Sequence, residues 1–420
     1  MQAEVLSVGT ELLLGEITDT NAQYISRRLR DAGVDVYRRV TIGDNPARLT
    51  ACFREALGRA DIVIATGGLG PTADDLTAKC LAEAMGRELV FNQEAWEMTA
   101  DWFRKRGREP RQTDRKQAMI IEGGRFLPNS NGTAPGQAIF AGGKLAALLP
   151  GPPREMVPMF EDHVVPLLKE SFPGLVPLTC KDLHVVGIGE GQVQEILDDL
   201  MKSANPTLAP YAGLAEVRLR IAARGHDPEE SLAMVRSMEQ KVRERIGDYI
   251  YGTTGDSLEG VCAGLLKKTG LTLAVAESCT GGLVCNRLTD VPGVSASLRM
   301  GTVAYSPAVK ASVLGVPQEA VRLDEAVNPD TARAMAQSVR ALSGAKIGLA
   351  TTGFAGPGGG TENAPVGTVY IALAHADDVI IEKHQLAGAR KTIKERAAQN
   401  ALILLWKFLK SQAGGRSRGN

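Results

Sequence analysis

The chain has 420 residues, in which 48 lysines and arginines balance 48 aspartates and glutamates. One hydrophobic core rarely supports this length, so we expect two or three domains. Hydrophobic residues at 44% and charged residues at 23% are typical of a globular protein, and the net charge of zero gives no global reason to expect a nucleic-acid or membrane-surface partner.

The cysteines and the N-terminus indicate a cellular location. The six cysteines lie far apart without a C-x-x-C pair, unlike a zinc site or a disulfide framework. The N-terminus lacks the basic and apolar segments of an export signal, and no apolar run is long enough to span a bilayer. We therefore expect a cytoplasmic protein.

Strand-like and helix-like segments alternate over the first 170 or so residues. This alternation predicts a parallel sheet covered by helices, with ligands bound at the carboxyl ends of the strands. The predicted strands are 4–8, 34–40, 62–65 and 145–149, and the predicted helices are 20–32, 46–57 and a segment that begins at about Thr72.

A glycine-rich segment, residues 66–75, follows the third of these strands and ends in Asp74 and Asp75. Glycines let backbone amides approach a phosphate, and paired carboxylates can bind a divalent cation bridged to a diphosphate. Alternatively, one of the two aspartates complements the dipole of a helix in its first turn. Segments 9–21, 43–45, 131–136 and 150–155 are expected to meet this loop.

Proline- and glycine-rich stretches at 171–177 and 251–257 indicate two domain boundaries. Between 176 and 254 there are 9 lysines and arginines against 12 aspartates and glutamates, a balance of minus 3 that disfavours nucleic-acid binding. The strands predicted for this small unit are 180–186, 207–211, 216–222 and 249–251, and its helices are 192–201 and 228–246.

The third domain again alternates strands and helices, which predicts another α/β layer structure, and its Gly-, Ser- and Arg-rich tail is expected to be disordered. Asp256 or Ser257 is expected to cap its first helix, which ends near Lys268. The strands predicted there are 271–275, 301–304, 346–351, 367–374 and 379–385, and further helices are expected near 282–288, 329–342 and 389–410.

Ser278 lies between a predicted strand and a predicted helix. A serine at such a turn can attack an electrophile while free amides and the helix dipole stabilise an oxyanion, although a helix cap is the simpler explanation. All five histidines lie outside the glycine-rich loops, which disfavours a Ser-His-Asp triad. Lys310 can serve as the base if burial lowers its pKa, with Tyr305 as a proton relay between them.

Each of these assignments has an alternative. Tyr305 could instead be a core aromatic residue and Lys310 a solvated helix residue. Cys279 is a rival nucleophile without a histidine partner. The loop at 352–360 carries five glycines after a strand and is interpreted as an anion site rather than a plain flexible loop.

Residues 276–282, 305–310 and 352–358, with Gly388, Ala389 and Arg390, resemble the C-terminal domain of the CinA family (competence/damage-inducible protein A), whose active members deamidate nicotinamide mononucleotide without a cofactor. The resemblance implies Ser278 as nucleophile, assisted by Lys310 and Tyr305. The implied substrate ligands are Thr280, Gly281, Gly282, Thr352, Gly353, Gly356 and Arg390. Family members often carry a second arginine where this chain has Lys394, which keeps the charge but loses bidentate phosphate recognition.

The glycine-rich segment and its partners resemble the N-terminal domain of the same family, which is similar to molybdopterin-binding domains and is associated with a metal-dependent ADP-ribose pyrophosphatase. The resemblance implies a divalent metal ion held by Asp44, Asp74 and Asp75. The implied nucleotide ligands are Glu11, Asn21, Gly67, Gly68, Gly70, Thr72, Asn131, Gly132, Thr133 and Pro152.

The middle unit resembles the KH-like domain of the full-length family members, but its glycine loop, 187–191, lacks the G-x-x-G spacing of a nucleic-acid clamp. The predicted fold is therefore α/β with three domains: a molybdopterin-binding-like parallel-sheet domain at 1–172, a small α+β KH-like domain at 176–252, and an α/β amidohydrolase domain at 255–412, before a tail at 413–420. The resemblance also implies a homodimer. The alternatives are a nucleotide- or pterin-binding protein without turnover and a competence-related accessory protein.

Overall fold

The computed structural model describes residues 1–321, 326–376 and 378–415. These residues form two compact units. The first unit comprises residues 1–179 and 224–231, and the second comprises residues 180–223 together with the chain from 232 onwards.

The first unit is built on a six-stranded mixed sheet in the order β2-β1-β3-β8-β7-β6. Its strands are β1 (Gln2–Val8), β2 (Asp35–Ile42), β3 (Ile62–Thr66), β6 (Arg125–Leu127), β7 (Gly136–Ala141) and β8 (Lys144–Leu149), and a separate pair is formed by β4 (Leu89–Phe91) and β5 (Met119–Ile121). Its helices are α1 (Thr10–Leu13), α2 (Thr20–Asp31), α3 (Pro46–Arg59), α4 (Thr77–Ala84), α5 (Gln93–Arg104), α6 (Pro153–Met159) and α7 (Val165–Ser171), with a 3-10 helix at Gln112–Ala118 and a π-helical turn at Phe160–Val164.

The four strands expected from the sequence are the parallel part of this sheet, because β1 pairs with β2 and β3, and β3 pairs with β8, all in parallel. The prediction of a purely parallel sheet was wrong at one edge, where β7 and β6 add an antiparallel extension to β8. Continuous apolar runs, such as the fully buried β3, are typical of strands covered on both faces. Helices cover both faces and enclose one core on each side.

Local sequence explains where the first helices begin. The Asp19 side chain accepts a hydrogen bond from Ala22 N and caps α2, whose apolar Ala22, Ile25 and Leu29 are all buried at helical spacing. Asn45 caps α3 in the same way, with a proline at the first helical position. The helix predicted from about Thr72 begins later, because α4 starts at Thr77.

The middle part of the chain, within the second unit, contains a four-stranded sheet in the order β10-β11-β9-β12. Two helices, α8 and α9, accompany it, and apolar side chains of α8, α9 and the strands share one core. Its elements are β9 (Thr179–Val185), α8 (Glu190–Met201), β10 (Thr207–Ala212), β11 (Val217–Ala223), α9 (Pro228–Ile246), a 3-10 helix at Gly247–Tyr249 and β12 (Ile250–Thr253).

The C-terminal part of the second unit has a five-stranded sheet in the order β14-β13-β15-β16-β17. The strands β14, β13 and β15 are parallel, and β16 and β17 continue antiparallel. Its elements are α10 (Leu258–Thr269), β13 (Leu273–Glu277), α11 (Leu283–Thr289), β14 (Leu298–Val303), α12 (Pro307–Leu314), α13 (Pro329–Ser343), β15 (Ile347–Gly353), β16 (Thr368–His375), β17 (Asp378–Gln385) and α14 (Arg390–Gly415), with 3-10 helices at Val294–Ala296 and Gln318–Val321.

Two findings about the helices beside this sheet bear on the sequence analysis. Of the two proposed caps of α10, Ser257 is the one whose side chain accepts from Gly260 N. The final helix continues through Gly415, three residues into the predicted tail, and residues 416–420 lie outside the described residues. Across the described ranges, no helix combines the length and the apolar character needed to cross a membrane.

Candidate active sites

Two neighbouring parallel strands bring Ser278 and Thr352 to the same edge of the C-terminal sheet. Glu277 at the end of β13 is aligned with Thr351 of β15, and Ser278 N donates to the Thr351 carbonyl oxygen over 2.9 Å. Side chains alternate between the faces of a strand. Ala276 and Ala350, two residues before Ser278 and Thr352, pack in the core that includes α13. The side chains of Ser278 and Thr352 therefore lie on the same face of the sheet as these alanines.

Lys310 reaches this edge from α12. Its side chain is only 2% exposed, and Nζ donates a hydrogen bond to Thr352 Oγ1 over 3.3 Å. Burial lowers the pKa of Lys310, and the nearby Cys279 opposes that shift only in part. The Thr352 hydroxyl in turn donates to the carbonyl oxygen of Ala326 over 3.2 Å, which leaves its lone pairs for Lys310. The alternative of a solvated lysine is therefore wrong.

Tyr305 and Arg390 form the outer part of the site. Arg390 Nη2 donates to the Tyr305 hydroxyl over 2.6 Å, and Nη1 donates to the Gly356 carbonyl oxygen over 2.6 Å. Tyr305 is 58% exposed, so the alternative of a core aromatic residue is also wrong. The predicted relay between Ser278 and Lys310 is not supported either, because within the described residues the Tyr305 hydroxyl bonds to Arg390 and to neither of those residues.

Lys394 lies one helical turn beyond Arg390 on α14, and its ammonium group faces the loop that follows Ser278. A Cβ atom added to Gly281 would lie 3.3 Å from Lys394 Nζ. Gly281 and Gly282 both have positive φ angles, of 64° and 94°, which favour glycine over other residues. The ammonium group of Lys394 therefore lies close to Gly281, which the resemblance assigned to substrate binding. Arg390, another of the assigned residues, lies one helical turn away on α14.

The helix that follows Ser278 begins close to the predicted residue 282, but Ser278 does not lie at its N-terminus. Its N-cap is Gly282, so Ser278 is not a helix cap, and two of the first amides of α11 are not free for an oxyanion. They donate to the carboxylate of Glu277, from Val284 N over 3.1 Å and from Cys285 N over 2.8 Å. Glu277 is fully buried. The sequence analysis missed this residue, although a carboxylate just before a helix N-terminus is a recognisable signal.

Two further predicted residues have structural roles. Thr280 Oγ1 shares a 2.7 Å hydrogen bond with Thr351 Oγ1 beneath the loop. A Cβ atom at Gly353 would lie 2.7 Å from the Thr368 carbonyl oxygen, so close packing against β16 explains this glycine without a ligand. Burial raises the pKa of Cys279 to about 12, which keeps the rival nucleophile protonated at neutral pH.

In the first unit, loops at the carboxyl ends of β1, β3 and β8 enclose a cavity of about 380 Å³. A second cavity of about 320 Å³ shares Val8, Glu11, Gly151 and Pro152 with it and is also lined by Asn21. The predicted site residues that line the larger cavity are Glu11, Asp44, Gly67, Gly68, Gly70, Asp74, Asp75, Thr133 and Pro152.

Three predicted nucleotide ligands do not line either cavity. Thr72 donates through its backbone and hydroxyl to Asp75. Asn131 Nδ2 donates to the Arg154 carbonyl oxygen over 3.0 Å. A Cβ atom at Gly132 would lie 2.0 Å from a carboxylate oxygen of Glu155, so packing accounts for this glycine.

The three predicted metal ligands line one cavity but do not converge. Within residues 1–321, 326–376 and 378–415, no group of three or more carboxylate, imidazole or thiol side chains gathers as a metal cluster. Asp44 Oδ2 accepts from the backbone and hydroxyl of Thr10, and Asp75 Oδ2 accepts from those of Thr72. The helix-dipole alternative is wrong for both Asp74 and Asp75, because α4 begins only at Thr77.

Two further polar residues line the larger cavity; Glu155 lies in the predicted segment 150–155, whereas Gln117 escaped the sequence analysis. Gln117, 5% exposed, donates from Nε2 to Thr133 Oγ1 over 3.2 Å, and its Oε1 makes no hydrogen bond within the described residues. Glu155, 8% exposed, lies in the first turn of α6 and accepts from Asn129. Gln117 lies in a 3-10 helix without a glycine or a strand end beside it, so no local signal indicated a site.

Comparisons with known proteins match nearly all of the chain. Family models match residues 4–170 ("Probable molybdopterin binding domain"), 180–252 ("Damage-inducible protein CinA KH domain") and 255–409 ("CinA C-terminal domain"). A CinA-like protein of Dictyoglomus turgidum is 47% identical over 406 residues, which cover 96% of this chain and 98% of the relative. The fold class predicted from the sequence is confirmed by these matches.

Solved structures give partial matches. The protein CinA of Thermoplasma acidophilum, whose function is described as unknown, is 32% identical, covers 41% of this chain and 99% of its own, and has a TM-score of 0.38. A competence-damaged protein (CinA) superfamily member from Klebsiella pneumoniae is 30% identical, covers 37% of this chain and 96% of its own, and has a TM-score of 0.36.

Proposed function

The chain belongs to the CinA family, and we propose that its C-terminal domain hydrolyses the carboxamide of nicotinamide mononucleotide to nicotinate mononucleotide and ammonia. The observation that carries the proposal is Lys310. Its amine is buried, has a lowered pKa, and lies beside Thr352 on the strand next to the one that leads to Ser278. A desolvated amine of this kind can act as a base at a pH where an exposed lysine cannot.

In the proposed reaction, Ser278 Oγ attacks the carboxamide carbon and its proton passes to the neutral Lys310 amine. The C–N bond breaks, Lys310 returns the proton to the leaving nitrogen, and ammonia departs from an acyl-serine. Water then attacks the acyl carbon and gives a proton to the Lys310 amine. Lys310 passes this proton to Ser278 Oγ as the acyl–oxygen bond breaks and nicotinate mononucleotide leaves. The positive pyridinium ring makes the carbonyl carbon more electrophilic.

The cations on α14 would bind the phosphate of this substrate. Arg390 is held by Tyr305 and Gly356, and Lys394 faces Gly281. A guanidinium can bind a phosphate through two parallel hydrogen bonds, whereas an ammonium acts as a point charge. The proposal therefore assigns orientation of the phosphate to Arg390 and additional attraction to Lys394.

The test is ammonia release from nicotinamide mononucleotide, with wild type compared to Ser278→Ala and to Cys279→Ala. We expect Ser278→Ala to lose activity while Cys279→Ala retains it. The assay is run with and without a chelator, because the proposed mechanism needs no metal. Activity near wild type in Ser278→Ala, or loss of activity with the chelator, would contradict the proposal.

We further propose that the N-terminal domain is a metal-dependent ADP-ribose pyrophosphatase. The supporting observation is the cavity of about 380 Å³, which places the glycine turn at 67–70 and three aspartates, Asp44, Asp74 and Asp75, around one space. Asp44 and Asp75 each use one carboxylate oxygen for a threonine, and the other oxygen makes no hydrogen bond within the described part of the chain.

These residues fit a divalent cation of the magnesium type. Such an ion is usually held by one or two carboxylates, with phosphates and water completing its shell, and it neutralises charge on the diphosphate. One or two of Asp44, Asp74 and Asp75 would hold it, since the three do not gather as a cluster within the described residues. Incubation with ADP-ribose and Mg²⁺ should yield AMP and ribose phosphate. Binding of ADP-ribose without products would favour the alternative, a nucleotide- or pterin-binding protein without turnover.

Two parts of the proposal concern partners. We propose that the protein is cytoplasmic and forms a homodimer. Sedimentation analysis of the full chain tests the homodimer directly. A competence-related role with DNA as partner would instead require salt-dependent DNA binding, and the net charge of zero gives no support for it.

A further inference from the structure

A buried amide connects two parts of the second unit. Gln399 on α14 is 5% exposed. Its Oε1 accepts from Arg287 Nη1 over 2.8 Å, and its Nε2 donates to Glu216 Oε2 over 3.4 Å. A guanidinium only donates and a carboxylate only accepts, so these two partners fix which way the amide points.

The Glu216 end of this connection is fixed in the KH-like domain. The carboxylate, just before β11, accepts from His184 Nδ1 of β9 over 2.7 Å and from the Tyr251 hydroxyl of β12 over 3.1 Å. Burial and the negative charge of Glu216 both raise the pKa of Tyr251, so its hydroxyl remains a donor. Three strands of the KH-like sheet therefore determine where this carboxylate lies.

The Arg287 end is fixed on α11. Arg287 Nη2 forms an ion pair with Glu259 of α10 over 2.6 Å, and Arg287 lies in the last turn of α11. The first turn of the same helix is held by Glu277, the residue immediately before Ser278. The seven residues of α11 are thus anchored at both ends, and one anchor is adjacent to the proposed nucleophile.

We propose that Glu216 is a positioning residue for the C-terminal site, so that the KH-like domain, through Gln399 and Arg287, holds α11 and the loop at 278–282 in place. Without the Glu216 carboxylate, Gln399 Nε2 would be a buried donor without its acceptor, and the amide would no longer be held against Arg287. This gives the KH-like domain a role that does not require nucleic acid. A test by kcat rests on the proposed deamidase function, whereas a test by hydrogen exchange of the loop and α11 does not.

The test compares Glu216→Ala and Gln399→Leu with a matched control in the full-length chain. Hydrogen exchange of the peptide covering residues 278–289 should be faster in both variants, and kcat for nicotinamide mononucleotide should fall by about tenfold because the nucleophile is displaced. KM should change by less than about twofold, because Arg390 and Lys394 are untouched.

The control is Asp248→Ala, which removes a different contact between the KH-like domain and α14. Asp248 Oδ1 accepts from Lys410 Nζ over 3.1 Å at the surface, and such exposed pairs contribute little. We expect this variant to match wild type in exchange and in rate. Glu216→Gln keeps an acceptor for Gln399 and should restore most of the protection.

The possible outcomes separate the two proposals. Faster exchange at 278–289 in a protein that releases no ammonia from nicotinamide mononucleotide supports the positioning role and contradicts the deamidase. Equal exchange in Glu216→Ala and Asp248→Ala overturns the positioning role whatever the activity. If Glu216→Ala does not fold, Gln399→Leu decides by the same exchange measurement, and unchanged exchange in Gln399→Leu again overturns the positioning role.

Discussion

The guanidinium of Arg390 lies 2.6 Å from the hydroxyl of Tyr305 and uses this contact to span from α14 to the loop after β14. The same guanidinium also holds the Gly356 carbonyl oxygen, so its plane is fixed by two partners on different loops. Tyr305 is mostly exposed, whereas Lys310 is buried. The site is therefore divided into an outer part that can orient a phosphate and an inner part that can move a proton.

Replacement of Tyr305 by phenylalanine tests this division. The replacement removes the acceptor for Arg390 Nη2. We expect KM for nicotinamide mononucleotide to rise by a few fold and kcat to be nearly unchanged, because a hydrogen bond of this kind contributes about 0.5–1.5 kcal/mol. Steady-state kinetics of ammonia release measures both constants. Arg390→Lys is the companion variant and should raise KM further. A drop in kcat of about a hundredfold in Tyr305→Phe would instead indicate the proton relay.

The second prediction concerns the pH dependence of deamidation. Burial lowers the pKa of Lys310 from its usual 10.5, and only the neutral amine can accept a proton. We expect kcat/KM to rise with pH through this pKa, with the midpoint of the rise below pH 10.5. In Thr352→Val the ammonium loses a hydrogen-bond acceptor, so the rise should shift to lower pH. A rise centred at or above pH 10.5 in wild type would exclude Lys310 as the base.

The third prediction links the same lysine to stability. A lysine whose folded pKa is below its unfolded pKa destabilises the fold, fully at pH values below the folded pKa and no longer above the unfolded pKa. Lys310→Met should therefore raise the free energy of unfolding at pH 7, and this gain should shrink as the pH approaches 10.5. Calorimetry at pH 7 and pH 10 measures it. The variant should release no ammonia, and a loss of stability at pH 7 would contradict the sign.

The elements that position both sites were largely predictable from the sequence. The strands β3 and β13 are short apolar runs that end at glycine- or serine-rich turns, and both are fully buried parallel strands. Periodicity and turn residues are local, so the sequence contains them. The antiparallel edge was missed because β6 has only three residues, too few for an alternation to be recognised, and β7, although six residues long, is buried along its first four residues without alternation.

The contacts that define the chemistry were not predictable in the same way. Lys310 is buried because α12 packs its lysine against Thr352, 42 residues further along the chain. The partner of Tyr305 is 85 residues away. Such pairings depend on how the helices cover the sheet, and no local pattern indicates them. The identity of Ser278, Lys310 and Arg390 as candidates came from the family resemblance and from strand ends, not from predicted contacts.

The fourth prediction concerns Glu277. Its buried carboxylate accepts from two backbone amides of α11, and glutamine would keep one oxygen but turn an NH₂ group toward the second amide. Glu277→Gln should therefore lower the free energy of unfolding by about 1–3 kcal/mol and reduce kcat for ammonia release. Calorimetry and kinetics are measured on the same preparation. An unchanged unfolding temperature would show that these two hydrogen bonds do not hold the helix.

The last prediction separates the two neighbouring aspartates of the N-terminal cavity. Asp75 Oδ2 accepts from Thr72 N over 2.8 Å and from Thr72 Oγ1 over 2.5 Å, so Asp75 organises the glycine-rich turn. Asp74 is exposed and lines the same cavity, and a hydrogen bond with the Thr72 side chain lowers its pKa, which favours the charged form that a cation binds. We expect Asp74→Asn to raise the Mg²⁺ concentration needed for half-maximal ADP-ribose cleavage by about tenfold, because the metal site loses one negative charge. Activity should be recovered at high Mg²⁺.

Asp75→Asn should behave differently, because its defect lies in the shape of the turn. Excess Mg²⁺ should not restore its activity, and its affinity for ADP-ribose in the presence of the metal should fall, as titration calorimetry would show. The backbone carbonyl of Thr72 also accepts from Lys116, so the turn has a second support that limits the loss. Identical Mg²⁺ activation curves for wild type and Asp74→Asn would remove Asp74 from the metal site, and full rescue of Asp75→Asn by Mg²⁺ would exchange the two roles.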